Sequence, residues 1–134
     1  MIRTSMAALA FALVAGAASA QARSPTEIIN HHLAAAAAGD ADAMASDYAE
    51  DAVVLQPGQV VHGRPAIRAL FARMFGPGGQ TPKIKPDKIS EDGDVGLVAW
   101  HMEGSPVTGN DSFVIRDGKI VVQAVFISAP QSRP

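Results

Sequence analysis

The chain of 134 residues has no cysteine, one tryptophan and one tyrosine. Without cysteine no disulfide can form, so even in an oxidising compartment the fold must hold by packing alone. The same absence excludes a lipidated leader of the bacterial lipoprotein type. The four histidines have neither metal-binding spacing nor a nearby thiol, so no metal site is expected. No charge dominates: 11 Lys and Arg stand against 13 Asp and Glu. A mildly acidic chain with scattered basic residues is a poor nucleic-acid binder. Lys83, Lys85 and Lys88 form the one weak basic cluster and are expected to decorate an exposed strand. Repeats, heptads and a second hydrophobic span are also missing, and no serine sits in a recognisable nucleophile context.

What is present begins with a leader. Arg3 gives a positive start, Met6 to Ala15 is an apolar run too short to span a bilayer, and Ala18-Ser19-Ala20 is a small-residue cleavage site, with Ala20-Gln21-Ala22 as an alternative. Residues 1–22 therefore read as a cleaved secretory signal, and 23–134 as a single periplasmic or secreted domain of about 112 residues.

Ser24-Pro25-Thr26-Glu27 has the pattern of a capping box with proline in the first turn. It predicts a helix to about Ala38, ended by Gly39. Asp40 then caps a second helix, expected over about Ala41 to Tyr48. Asp51 to Gln56 reads as extended, Pro57-Gly58 as a turn and Gln59 to His62 as a short strand. Arg64 to Phe75 is a third helix, with Ile67, Leu70, Phe71 and Met74 on one stripe. Four strands follow: Lys83 to Glu91, Val95 to Glu103, Asn110 to Arg116 and Lys119 to Ser128, the last two joined by a tight Asp117-Gly118 turn. Helices segregated from a meandering sheet mean an α+β fold.

Asp111 stands out. It falls in step with Phe113 and Ile115, and side chains two apart on a strand share a face. A carboxyl on an apolar sheet face needs a strong partner or has its pKa pushed up; the plainer alternative is a turn or capping aspartate. His32 lies on the apolar stripe of the first helix, either as a packing residue or as a pocket group. His31 points elsewhere and is expected in solvent. Trp100 shares a face with Val98 and Met102, and Gln123 with Val121 and Val125. Met44, Phe71, Met74 and Phe113 would complete an apolar lining. Asp40 is expected as a cap; Asp42, Asp47, Glu50 and Asp51 are expected on an exposed helix and its end. His62 and His101 are assigned no role.

Ala38 to Val54, Gly63-Arg-Pro-Ala-Ile-Arg-Ala-Leu-Phe71 and Asp111 to Ile120 resemble the NTF2-like superfamily, and within it the SnoaL-like polyketide cyclases and ketosteroid isomerases. The resemblance implies a cone: a strongly curved sheet wrapped over three helices, an apolar pocket open at one end, and often a homodimer through the sheet. Aligned on Ala38-Gly39-Asp40, His32 takes the place of the isomerases' oxyanion-hole tyrosine and Asp111 that of their protonated aspartic acid. Gln56 stands where their general base would be, and glutamine cannot take that proton. Tyr48 keeps one position of their tyrosine network, Phe71 replaces another, and Trp100 and Gln123 fall on the pocket.

Two protonation patterns stay open. A His32–Asp111 dyad would act in proton abstraction or dehydration, with Gln56, Tyr48 and Gln123 orienting the substrate. A protonated Asp111 would make the pair a donor set for a carbonyl or phenolate oxygen. The expected activity is cofactor-independent isomerisation, dehydration or cyclisation of a small hydrophobic carbonyl or hydroxyl compound. The alternatives are an exported binder of a hydrophobic metabolite and a dimerisation domain with a filled cavity.

Overall fold

The computed structural model describes residues 22–78 and 81–129. The predicted signal, up to residue 21, lies outside the described residues. Among the described residues nine elements follow in order: α1 (Pro25–Ala38), α2 (Ala41–Ser46), β1 (Tyr48–Gln56), β2 (Gln59–His62), α3 (Arg64–Phe75), β3 (Ile84–Asp92), β4 (Val95–Met102), β5 (Thr108–Arg116) and β6 (Lys119–Ser128). The strands form one six-stranded sheet in the order β2-β1-β6-β5-β4-β3. Only the β1–β6 pair is parallel. The last strand thus slots between the first strand and the meander, and the three helices pack on the inner face of this curved sheet.

Local chemistry sets the helix ends. The Ser24 hydroxyl accepts from the Glu27 N–H at 3.3 Å, and the Glu27 carboxylate accepts from the Ser24 N–H at 2.7 Å, closing the capping box. Gly39 ends α1 at φ 69°, and the Asp40 carboxylate caps α2 through the Ala43 N–H at 2.9 Å. Asp117 and Gly118 both have positive φ, 51° and 72°, the signature of the primed turn that matches strand twist.

The second helix is shorter than its sequence suggests. It stops at Ser46, and Tyr48 opens β1 in register with Ile120. The cause is Asp47. Its carboxylate is fully buried and bonds Arg23 Nη2 at 2.9 Å and His31 Nδ1 at 2.8 Å, while its carbonyl accepts from the Ile120 N–H at 2.8 Å. Asp47 is therefore not the exposed acid expected from its surroundings, and His31, though half-exposed, is not free in solvent.

The core joins Ile28, Ile29, Met44, Ile67, Leu70 and Phe71 of the helices to Tyr48, Val54, Val98, Phe113, Ile115 and Ile120 of the sheet. On the outer face, Leu55, Ala124, Ser112 and Leu97 form one cross-sheet row, and Val53, Val122, Val114 and Val95 the next. Lys85 and Lys88 are exposed on edge strand β3, with Lys83 just before it, where lysines discourage edge pairing. Among the described residues no helix is long and apolar enough to cross a membrane.

Candidate functional site

Between the helices and the sheet lies a cavity of about 100 Å³. Helical and strand periods supply its wall. His32, Leu33 and Ala36 come from α1, Met44 from α2, and Leu70, Phe71, Met74 and Phe75 from α3. Trp100 and Met102 come from β4, Asp111 from β5, and Gln123, Val125 and Ile127 from alternate positions of β6. Val54, Gln56, Pro82 and Ile84 complete it. The wall is apolar except for His32, Gln56 and a polar group of residues centred on Asp111.

Register brings that group together. Asp111 pairs with Val98 on one side and Val125 on the other, so Trp100 and Gln123 stand one same-face step away on the two neighbouring strands. The Trp100 indole N–H donates to Asp111 Oδ1 at 2.9 Å, and Gln123 Nε2 donates to Oδ2 at 2.8 Å. Tyr48 donates its hydroxyl to Gln123 Oε1. An ionised carboxylate is acceptor-only, so Gln123 must turn its NH₂ to Asp111 and its oxygen to the phenol. Burial raises the Asp111 pKa above its ordinary value, and the bonds from Trp100 and Gln123 pull it back part of the way. Burial, then the negative charges of Asp111 and Asp47, push the Tyr48 phenol well above 10, which keeps it a donor.

His32 is held differently. It is 4% exposed, clasped edge-on by Phe71, Tyr48 and Phe113 with ring centroids 5.4, 5.6 and 5.9 Å away. Burial lowers its pKa to about 4; Asp47 works against that shift and His31 adds to it. The ring is therefore neutral at pH 7. Its Nδ1 is sealed from solvent with no partner among the described residues. No hydrogen bond joins His32 to Asp111. Of the two patterns left open, the dyad is not formed, because both Asp111 oxygens are engaged by neighbouring strands while the imidazole is boxed in by Phe71 of α3 and by Tyr48 and Phe113 of the sheet.

A family model described as a SnoaL-like domain matches residues 29–123. The chain belongs to the SnoaL-like family of the NTF2-like superfamily. Solved structures agree with this. An NTF2-like protein of unknown function from Burkholderia xenovorans is 30% identical, with 81% of this chain and 86% of that one covered at a TM-score of 0.67. A candidate polyketide cyclase from Sinorhizobium meliloti is 31% identical over 75% and 94%, TM-score 0.63. The epoxide hydrolase/cyclase-like enzyme SalBIII, of pyran ring formation in polyether salinomycin, is 27% identical over 77% and 89%, TM-score 0.67. No curated protein matches.

Within this SnoaL-like domain, most of the residues singled out from the sequence reach one place. His32, Gln56, Phe71, Met74, Trp100, Asp111 and Gln123 all line the cavity. Tyr48 and Phe113 do not: both are fully buried behind the wall, where Tyr48 orients Gln123 and Phe113 packs on His32. Gln56 ends β1, and its Nε2 donates to Gln59 Oε1 at 2.7 Å across the hairpin. His101 faces away from Trp100 and bonds Asp87 at 2.7 Å. Leu33, Phe75, Pro82, Ile84 and Ile127 were not foreseen on the wall. For Ile127 the alternation from Gln123 through Val125 was signal enough. Among the described residues no cluster of three or more His, Asp and Glu could hold a metal.

Glycine at 109 is required by this SnoaL-like site. A Cβ there would lie 2.1 Å from Trp100 Cζ2, because the indole lies over the residue paired with it. Gly109→Ala is expected to dislodge the indole from Asp111 and to cost about 1–3 kcal/mol. Denaturant unfolding followed by the fluorescence of this sole tryptophan measures both effects. Unchanged emission and midpoint would mean the indole has room elsewhere.

Proposed function

We propose that this domain is an exported, cofactor-independent proton-transfer enzyme acting on a small hydrophobic carbonyl compound, with Asp111 as the base and His32 as a neutral hydrogen-bond donor. One observation carries the reading: a carboxylate held by two donors on the wall of a largely apolar cavity. Perturbed ionisable groups in such a place are candidates for catalysis. The roles differ from those of a His32–Asp111 dyad. A histidine that titrates near 4 is a weak base, whereas burial makes Asp111 a stronger one than a free carboxylate.

In the proposed step Asp111 takes a proton from the carbon beside the carbonyl. The C–H electron pair moves into the C–C bond and the carbonyl π pair moves onto oxygen. Because Nδ1 is sealed, Nε2–H is the nitrogen His32 can offer to that developing oxyanion. Returning the proton to another carbon is isomerisation; attack of the enolate on an electrophilic carbon is cyclisation. The candidate cyclase and the cyclase-like enzyme among the relatives support this class of chemistry.

The first test reads proton abstraction alone. Tetralone, acetophenone and cyclic diketones are incubated in D₂O, and loss of α-proton signals is followed by NMR against buffer. Exchange that requires the intact site is the expected result. No exchange with any of them, alongside measurable binding, would favour the second reading, a binder of a hydrophobic metabolite. That reading draws on Gln56, which occupies a cavity position but cannot accept the proton.

We further propose that the outer sheet face pairs two copies of the chain. Leu55, Val95 and Leu97 are 40, 48 and 40% exposed there, and Phe126 is 63% exposed. Patches of this kind mark interaction sites. Light scattering on the eluted protein should give twice the chain mass, and Leu97→Lys should halve it. A wild-type monomer at all concentrations would reject the pairing.

A further inference from the structure

Methionine is the only sulfur-bearing residue in this chain, since cysteine is absent. Of the five methionines, Met1 and Met6 lie outside the described residues. Met44, Met74 and Met102 all line the cavity described above. They differ in access. Met44 is 1% exposed and sealed in the core, whereas Met74 is 36% exposed on the last turn of α3. Met102 is half-buried at the end of β4, paired with Ile84 of the wall. Two thioethers therefore stand at the rim and one at the floor.

An unbranched thioether suits a wall that must adapt to apolar guests. It is also the side chain that a peroxide converts into a strong dipole. We propose that Met74 and Met102 form a hydroperoxide-sensitive site, at which oxidation of the rim thioethers to sulfoxides closes the cavity to apolar ligands. The sulfur lone pair attacks the terminal oxygen of the hydroperoxide. An S–O bond forms as the O–O bond breaks; sulfur gives up two electrons, and the peroxide leaves as an alcohol, or as water from hydrogen peroxide, carrying the hydroxyl proton. Nothing apolar on the rim offers the new oxygen a hydrogen bond, so a guest that covers it strips its water without replacement. The inference rests on the apolar-cavity reading but not on the base chemistry of Asp111.

The experiment uses the apolar fluorophore N-phenylnaphthylamine, read by energy transfer from Trp100 before and after treatment of the folded protein with hydrogen peroxide. Peptide masses should show oxygen added at Met74 and Met102 before Met44, and affinity should fall about tenfold. The Met74→Leu, Met102→Leu double variant should bind the probe and keep its affinity through the same treatment. Methionine sulfoxide reductase should restore binding to the oxidised wild type. Sulfoxides at the rim with unchanged affinity would overturn the proposal, as would an equal loss in the double variant. Failure of the probe to bind before oxidation would instead sink the apolar-cavity reading, and this inference with it.

Discussion

Leucine in place of His32 is expected to make the protein more stable and less sensitive to acid. The wild-type ring is neutral, buried, and carries a sealed Nδ1 with no partner among the described residues. Replacing an unsatisfied buried polar group by an apolar one of similar size removes a penalty of about 1–3 kcal/mol. A second effect appears on acidification. The folded-state pKa of about 4 lies below the ordinary 6.5, so the unfolded chain binds more protons between those values. Stability is therefore fully present above about pH 6.5 and is lost as pH falls toward 4, by about 3 kcal/mol in all. Asp111 acts in the opposite sense. Its folded pKa is raised, so its contribution is greatest below the unfolded carboxylate's pKa and is lost as pH rises through the folded value. Comparing wild type with His32→Leu isolates the histidine from that opposing slope. Urea midpoints near neutrality and near pH 5, followed by Trp100 emission, measure both effects. A leucine variant that is less stable and equally acid-labile would mean that the imidazole nitrogens are satisfied in solution. If the variant is more stable and has lost exchange activity, His32 is retained for function at a cost to the fold.

Asp111→Asn should lower the exchange rate about 10²- to 10⁴-fold, the span of a lost general base, while leaving the domain folded. The hydrogen-bond inventory predicts that tolerance. The asparagine oxygen still accepts from the Trp100 indole. Its new NH₂ meets Gln123, whose amide turns over to present oxygen, and the Tyr48 hydroxyl then accepts from the Gln123 NH₂ in place of donating. Only the Tyr48 hydroxyl proton loses its acceptor, at a cost of about 1–3 kcal/mol in stability, so the domain should stay folded and ligand affinity should change little compared with turnover. The wild-type rate should rise with pH through a midpoint above the ordinary carboxylate range, since the base must be ionised and burial raises its pKa. That rise should vanish in the variant. Unchanged exchange in Asp111→Asn would remove this residue from the chemistry altogether.

Much of this architecture was legible before any coordinates. The capping box at Ser24 to Glu27, the Gly39 stop, the third helix from Arg64 to Phe75 and the strand from Lys119 to Ser128 depend on neighbours within a few residues, and each forms where its pattern predicts. Alternation along β4, β5 and β6 was enough to give Trp100, Asp111 and Gln123 their same-face neighbours within each strand, because the strand period is two whatever the partner strand. Resemblance added the cavity on which Trp100, Asp111 and Gln123 converge, which the helix and strand faces alone could not close.

The chain order by itself determined most of the elements and the residues that share a face within each, since caps, turns and periodicity are local properties. Only the tertiary structure decided how the polar residues of the cavity are joined. Asp111 takes its donors from residues 11 and 12 positions away on other strands, and Gln123 is oriented by a phenol 75 positions away. His32 is left without the carboxylate that its position suggested. Asp47, which nothing local distinguishes from the acids around it, is buried because Arg23 and His31 come from 24 and 16 residues away to meet it. A hydrogen-bond partner is chosen by register and by the crossing of helix over sheet, and neither is written in the spacing of the residues that bond.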